Sequence, residues 1–341
     1  MLNIVYRLVA PRRIEMLFSD INLFGDEVIV RPTYLSICNA DQRYYQGTRD
    51  PEILSQKLPM ALIHEGVGEV VYDPTGNFKT GDSVIMIPNT PVEADEFIAE
   101  NYLRSSKFRA SGFDGYLQEN VAISPDRLVL LPQDINQYVA SFTEIVSVSV
   151  HSITRFERFS HARKDTIGVW GDGNLGYITA LFLKTIYPES KICVFGLDVE
   201  KLNYFSFADK CYLTNKIPKD LQLDHAFECV GGNGSQIAIN QIIDCIKPEG
   251  TISILGVSEY PVPINTRMIL EKGLRIFGSS RSGREDFVKT LELYKSNPEL
   301  IEFLENLVGY KKVVRNINDI CDAFDEDIKK VFGKTIMKWE K

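Results

Sequence analysis

Thr166-Ile167-Gly168-Val169-Trp170-Gly171-Asp172-Gly173-Asn174-Leu175-Gly176 is the stretch that decides the fold. Thr166 to Trp170 has the short, apolar, β-branched character of a buried strand, and Tyr177 to Tyr187 continues as an apolar, helix-like segment. A Gly-x-Gly-x-x-Gly spacing by itself is weak. Between a strand and a helix it is strong, because the glycines let backbone approach a pyrophosphate while the helix N-terminus supplies N–H donors and the positive end of its dipole. Gly171, Gly173, Asn174, Leu175 and Gly176 are therefore candidate cofactor contacts. An ordinary glycine-rich turn is the plainer alternative.

Outward from this loop, strand and helix signals alternate: Lys191 to Phe195, Lys210 to Leu213, His225 to Val230, Gly234 to Ile246, Thr251 to Leu255 and Leu274 to Gly278. Such βα alternation predicts a doubly wound parallel sheet covered on both faces by helices, with Val230 and Gly256, at or just beyond strand ends, as further cofactor contacts. Glu285 to Val308 reads as amphipathic helix and is assigned to the same domain. In proteins of this type that select NAD, an acid ends the second strand and binds the ribose hydroxyls. Aligning Ile192 to Phe195 with that strand puts Gly196 at the acid's position. Glycine leaves room for a 2′-phosphate and removes a repelling charge, so NADPH is the expected cofactor, with Lys201 as a phosphate partner. Asp198 is the carboxylate that could take the acid's place instead.

The N-terminal part differs in texture. Val28 to Val30, Gly68 to Tyr72, Ser83 to Ile87, Leu117 to Ile123 and Arg127 to Leu131 are short β-rich runs with turn chemistry between several of them, as at Asp73-Pro74-Thr75-Gly76 and Thr80-Gly81-Asp82. Within it, His64 and Glu65 stand side by side ahead of a strand-like run. A lone histidine is more often a satisfied core residue than a ligand, so its companions matter. Cys38 follows the Val28 to Val30 run, and Glu144 opens an otherwise apolar helix-like segment. One thiolate, one imidazole and one carboxylate give three protein ligands and leave a fourth tetrahedral position open, the layout of catalytic rather than structural zinc.

The totals bound the rest. A chain of 341 residues, 44% apolar, predicts two domains. A net charge of −8 and a pI near 5.2 exclude the basic face that nucleic acid requires. No run reaches the ~18 apolar residues of a membrane span, and Met1 to Arg7 lacks a signal-peptide core, so a soluble cytoplasmic protein is expected. Six cysteines without paired spacing suit a reducing compartment. His151, His161 and His225 carry no ligand spacing and read as structural or exposed.

Taken together, Cys38-Asn39-Ala40-Asp41, His64-Glu65-Gly66-Val67-Gly68-Glu69-Val70 and Glu144 resemble the zinc-dependent medium-chain dehydrogenase/reductase superfamily, with Glu144 matching its polyol dehydrogenases. The runs Cys38 to Arg49, Ile63 to Val71, Trp170 to Tyr177 and Gly278 to Gly283 are similar to the ribulose-5-phosphate reductases that make ribitol 5-phosphate for bacterial teichoic acids and capsules. The resemblance covers almost the whole chain. It implies a β-rich GroES-like catalytic domain over 1–145 and 317–341 and a Rossmann domain over 146–316. It also implies one catalytic Zn2+ held by Cys38, His64 and Glu144. Glu65 would be a fourth, exchangeable ligand or a neighbouring carboxylate, and Asp41 would orient His64 or the zinc water. The polar insertion Asn89 to Gly112 lacks the four cysteines that bind a structural zinc in many relatives, so none is expected.

Many relatives also carry a Ser or Thr proton relay where this chain has Ala40, leaving a water chain, Glu65 or a tyrosine such as Tyr45 to deliver the proton. A phosphorylated substrate would call for Arg43, Arg49 or Arg281. By the same likeness a homodimer is expected, with Gly256 to Gly278 as its interface, and a cytidylyltransferase as a transient partner. The competing readings are a polyol dehydrogenase acting on a non-phosphorylated substrate and a nucleotide-binding protein without chemistry.

Overall fold

The computed structural model describes all 341 residues, which form two compact units, Met1–Ile145 with Ser282–Lys341, and Val146–Arg281. The first unit is β-rich. Its largest sheet has the strand Val28–Ser36 near the middle, hydrogen-bonded on one side to Glu65–Tyr72 and on the other to Lys334–Trp339, both antiparallel. Ser36 at the end of that strand is opposite both Glu65 and Ile336. One register therefore brings residues from distant parts of the chain to a single edge. Val28, Val30, Val70, Val84, Met86 and Met337 fill the core beneath it, with Ile320 and Phe324 from the helix Ile317–Lys329 closing one side.

The N-terminal hairpin Leu2–Ala10 with Arg13–Asp20 belongs to this unit and was not among the sequence-read strands. Conversely, only Val121–Ile123 of the expected Leu117 to Ile123 run is a strand. The polar insertion forms a small lobe in which Asn89–Thr90 pairs with Lys107–Phe108. An ionic tether holds it down: Arg127 Nη1 is 2.7 Å from Glu100 Oε1, which also accepts the backbone N–H of Arg284 at 2.8 Å.

The second unit carries a six-stranded, wholly parallel sheet. Its order is Lys210–Leu213, Lys191–Gly196, Thr166–Trp170, Leu223–Glu228, Ile246–Ile254 and Arg275–Gly278. The strand after the glycine-rich loop's own strand lies to one side and the fourth to the other, so the order reverses at Thr166–Trp170. That switch point is where doubly wound sheets bind their ligands.

The expected second boundary at 316/317 is corrected to 281/282. The Glu285 to Val308 segment is not one helix: Arg284–Ser296 and Glu299–Glu305 are separated at Asn297-Pro298, where proline removes an N–H. Val308–Val314 then pairs in parallel with Lys334–Trp339 in the first unit's sheet. Amphipathic periodicity reports that a helix has a buried face without saying which sheet it covers, so the segment was assigned to the wrong unit.

Candidate metal centre and dinucleotide site

Cys38 follows the central strand, entering the helix Asn39–Tyr45, while His64 and Glu65 stand where the neighbouring strand begins. The donor atoms of Cys38, His64 and Glu65 all lie within 4.8 Å of one another. His64 and Glu65 are buried, and Cys38 is partly exposed. Asp41 ties the group together. One carboxylate oxygen accepts the Cys38 N–H at 3.1 Å, and the other accepts the Ile63 N–H at 3.0 Å and lies 3.4 Å from His64 Nδ1. Ile63 holds a left-handed φ of 72°, an uncommon backbone state for a β-branched residue, directly before the histidine. Asp41 thus engages the backbone on which both candidate ligands hang.

The electrostatics call for a cation. Burial works against a charged His64, yet Asp41 and the Cys38 sulfur draw its pKa well above the ordinary range. Burial pushes the Glu144 carboxyl up, Glu65 and Asp41 adding to that rise while His64 and Lys334 oppose it. So many acidic groups in one buried place favour a positive centre. A sulfur, an imidazole and a carboxylate are the donor set of zinc, and the imidazole's engagement toward Asp41 through Nδ1 would leave Nε2 for the metal.

Glu65 belongs to the close trio, whereas Glu144, buried at the start of the helix Thr143–Phe159, lies outside it and senses it through charge. Sequence reasoning missed Lys334. This lysine, 2% exposed, puts Nζ 2.9 Å from Oε1 and 2.8 Å from Oε2 of the fully buried Glu65. Burial pulls the ammonium's pKa down, but Glu65, then Cys38 and Asp327, outweigh it and the net shift is upward. Its only sequence signal is a lysine opening a short strand that carries a second lysine, Lys338, which reads as a solvated strand end. Tyr45 is removed from the candidate proton donors: its ring stacks on Phe324 at 4.5 Å inside the core and its hydroxyl is paired with Cys321.

In the second unit, Gly171 to Gly173 and Gly196 line a cavity of about 240 Å³ together with Trp170, Thr214 and Gln241. Val230 lines it too, whereas Asn174, Leu175 and Gly176 begin the helix Asn174–Ile186 at its edge. A Cβ on Gly176 would lie 1.9 Å from the Gly171 carbonyl oxygen, which is why that position admits nothing larger. Asp198 caps the short helix Val199–Leu202 by accepting the Glu200 N–H, with Lys201 in the same turn. Asp172 was overlooked. Its carboxylate accepts the backbone N–H of Leu197 at 2.7 Å and of Asp198 at 2.9 Å, directly beside Gly196. Glu228 was overlooked as well. Buried, it braces the loop beyond the strand by accepting from Val230, Gly231 and Gly256, which places Gly256 against the Gly231 backbone.

Residues 25–133 match the alcohol dehydrogenase GroES-like domain family and 202–296 the zinc-binding dehydrogenase family. Ribulose-5-phosphate reductase of Bacillus spizizenii is 56% identical over 340 residues, covering all of both chains. The chain belongs to the ribulose-5-phosphate reductase family of zinc-binding dehydrogenases. A second relative, ribulose-5-phosphate reductase of Streptococcus pneumoniae, is 45% identical over 100% of this chain and 98% of its own. Among solved structures, Staphylococcus aureus TarJ in complex with NADPH superposes with a TM-score of 0.91 at 51% identity over the whole of both chains. The family places this chain among the oxidoreductases and fits both the donor set at Cys38, His64 and Glu65 and the parallel-sheet unit.

Of the arginines expected to meet a phosphate, Arg43 is engaged with neighbouring groups on the helix that carries Asp41, and Arg49 stacks on Tyr44 with its guanidinium carbon 4.3 Å from the ring centroid. Arg281, the last residue of the second unit, has a left-handed φ of 57° and is also engaged.

Proposed function

We propose that this protein is a zinc-dependent reductase that converts D-ribulose 5-phosphate to D-ribitol 5-phosphate with NADPH. The observation that carries the reading is the close Cys38, His64 and Glu65 trio, braced by Asp41 and Lys334, in a chain that matches ribulose-5-phosphate reductases from end to end. Bound there, zinc would supply Lewis acidity to a ketone oxygen, and the nicotinamide would supply the hydride.

The protein's own residues do the positioning. Cys38 and His64 would hold the metal, with Glu65 or Glu144 as the carboxylate. Lys334 fixes where Glu65 points, and Asp41 holds the backbone at both ends of the donor set. In the second unit, Gly171 to Gly176 would receive the pyrophosphate. Gly196 leaves space for the 2′-phosphate, Lys201 would meet its charge, and Val230 and Gly256 would face the cofactor from the far side of the loop.

No helix is long and apolar enough to cross a membrane, which supports a cytoplasmic enzyme. The ribitol 5-phosphate formed would feed CDP-ribitol for teichoic acid or capsule through a cytidylyltransferase. For the homodimer, support comes from the segment expected to carry it: Val257, Tyr260 and Leu270 are 62, 72 and 80% exposed, and Arg275–Gly278 is an edge strand of its sheet. The test of the function is zinc content measured beside turnover. One zinc per chain, loss of ribulose 5-phosphate reduction on chelation and its return with zinc are expected. Full turnover in metal-free protein would overturn the reading.

A further inference from the structure

We infer that Arg49, Lys57 and the Tyr44 hydroxyl form the subsite that grips the phosphate of the substrate. The inference rests on the sugar-phosphate reading above and gives it a location. Tyr44 is 2% exposed, and its hydroxyl is buried with no hydrogen-bond partner. A buried hydroxyl left in that condition is costly, so it marks a place where an acceptor is missing. Two cations face the same ring: Arg49 at 4.3 Å from its centroid and Lys57 Nζ at 5.9 Å. Arg49 Nε is likewise buried without a partner, and Lys57 reaches only the Ser111 hydroxyl, at 2.9 Å.

Neither cation has a carboxylate. Several other arginines of this unit are, by contrast, spoken for. Arg7 is paired with Asp114, Arg12 with Asp325, and Arg127 with Glu100 and Asp126, while Arg109 is spent on the carbonyls of Asp114 and Ala122. A guanidinium and an ammonium over one ring, that ring's phenol and a serine hydroxyl beside the ammonium can all donate to a ligand. A phosphate dianion, with acceptors on every side, completes them.

The subsite is connected to the metal centre on both sides. Tyr44 lies on the helix that Cys38 opens and that carries Asp41, six residues and about 9 Å of helix rise from the cysteine. Ser111 follows Phe108, whose ring is 5.4 Å from that of His64. A short sugar phosphate with its carbonyl at the metal would therefore have its far end within reach of these donors.

The test compares kcat/KM for ribulose 5-phosphate with that for ribulose, as a ratio, in wild type, Arg49→Ala, Lys57→Ala and Tyr44→Phe. Arg49→Ala should lower the ratio by about 100-fold or more, since charge-assisted hydrogen bonds are lost only for the phosphorylated substrate. Lys57→Ala and Tyr44→Phe should each lower it by about 10-fold. Inorganic phosphate should compete with ribulose 5-phosphate in wild type and lose that competition in Arg49→Ala; Arg49→Lys, which keeps the charge, should retain part of it. A wild-type ratio well above one that is unchanged in all three variants overturns the subsite and leaves the function standing. A wild-type ratio near one removes the functional reading, and this subsite with it.

Discussion

Replacing Gly196 by aspartate is the substitution that a simple view of cofactor choice recommends for converting this enzyme to NADH, and the structure predicts that alone it fails. A Cβ at position 196 would lie 2.7 Å from both Cβ and Oδ2 of Asp172 and 2.9 Å from a methyl carbon of Leu202. Asp172 must then move, and its carboxylate holds the Leu197 and Asp198 amides at 2.7 and 2.9 Å. Each such bond to a charged group contributes about 1.5–3 kcal/mol, so breaking both costs about 3–6 kcal/mol. The incoming carboxylate would also face the one it displaces. Divided between stability and binding, that sum corresponds to losses of up to about 10²–10⁴-fold in affinity.

The assay is direct titration of NADPH and NADH by fluorescence, with a thermal melt of each variant. Gly196→Asp should bind both nucleotides worse, and Asp172→Gly combined with Gly196→Asp should recover NADH selectively. A single Gly196→Asp variant that binds NADH as tightly as the parent binds NADPH would refute the reasoning.

Other outcomes follow from the same structure. Lys334→Met leaves the Glu65 carboxylate buried without its counter-charge, so metal-free protein should lose about 3–5 kcal/mol in denaturant unfolding, and Glu65→Gln added to it should restore much of the loss. Asp41→Ala should weaken zinc binding by about 10–100-fold in chelator competition, as expected when a group that orients ligands is removed. His225 is held neutral. Burial first, then His161 and Lys164, depress its pKa to about 4, and its Nδ1 accepts the Thr251 N–H while Nε2 meets the Arg163 carbonyl. Because the unfolded chain takes up this proton near the ordinary value of about 6.5, the stabilisation is complete above that pH. It declines as pH falls toward 4, by about 3 kcal/mol in all. Denaturant titrations across that window should show the slope, and His225→Gln should flatten it.

Most of the architecture was legible because it is written locally. Thr166 to Gly176 combines strand, glycine spacing and helix in eleven consecutive residues, and the βα alternation after it has few alternatives. Cys38 and His64 were legible as residue types that zinc requires, with Glu144 read as the carboxylate and Glu65 as a fourth ligand or a neighbour. What stayed hidden depends on register and distance. Lys334 becomes the partner of Glu65 only because the strands carrying them flank Val28–Ser36, which no local pattern encodes. Asp172 carries no local signal of its role, which comes from the backbone amides of Leu197 and Asp198 converging on it. The helices after Arg281 were visible as helices, but their owner was a matter of packing.

The Glu65–Lys334 pair spans 269 residues of chain, and that separation sets a clock on assembly. At the usual pace of synthesis, ~5–20 residues per second, the carboxylate leaves the ribosome on the order of 10–50 s before its ammonium exists. Throughout that interval the pocket has its acids and lacks the cation that steadies them. Metal loading into a well-ordered site is thus a late event in the life of each molecule, postponed until the closing strand has docked.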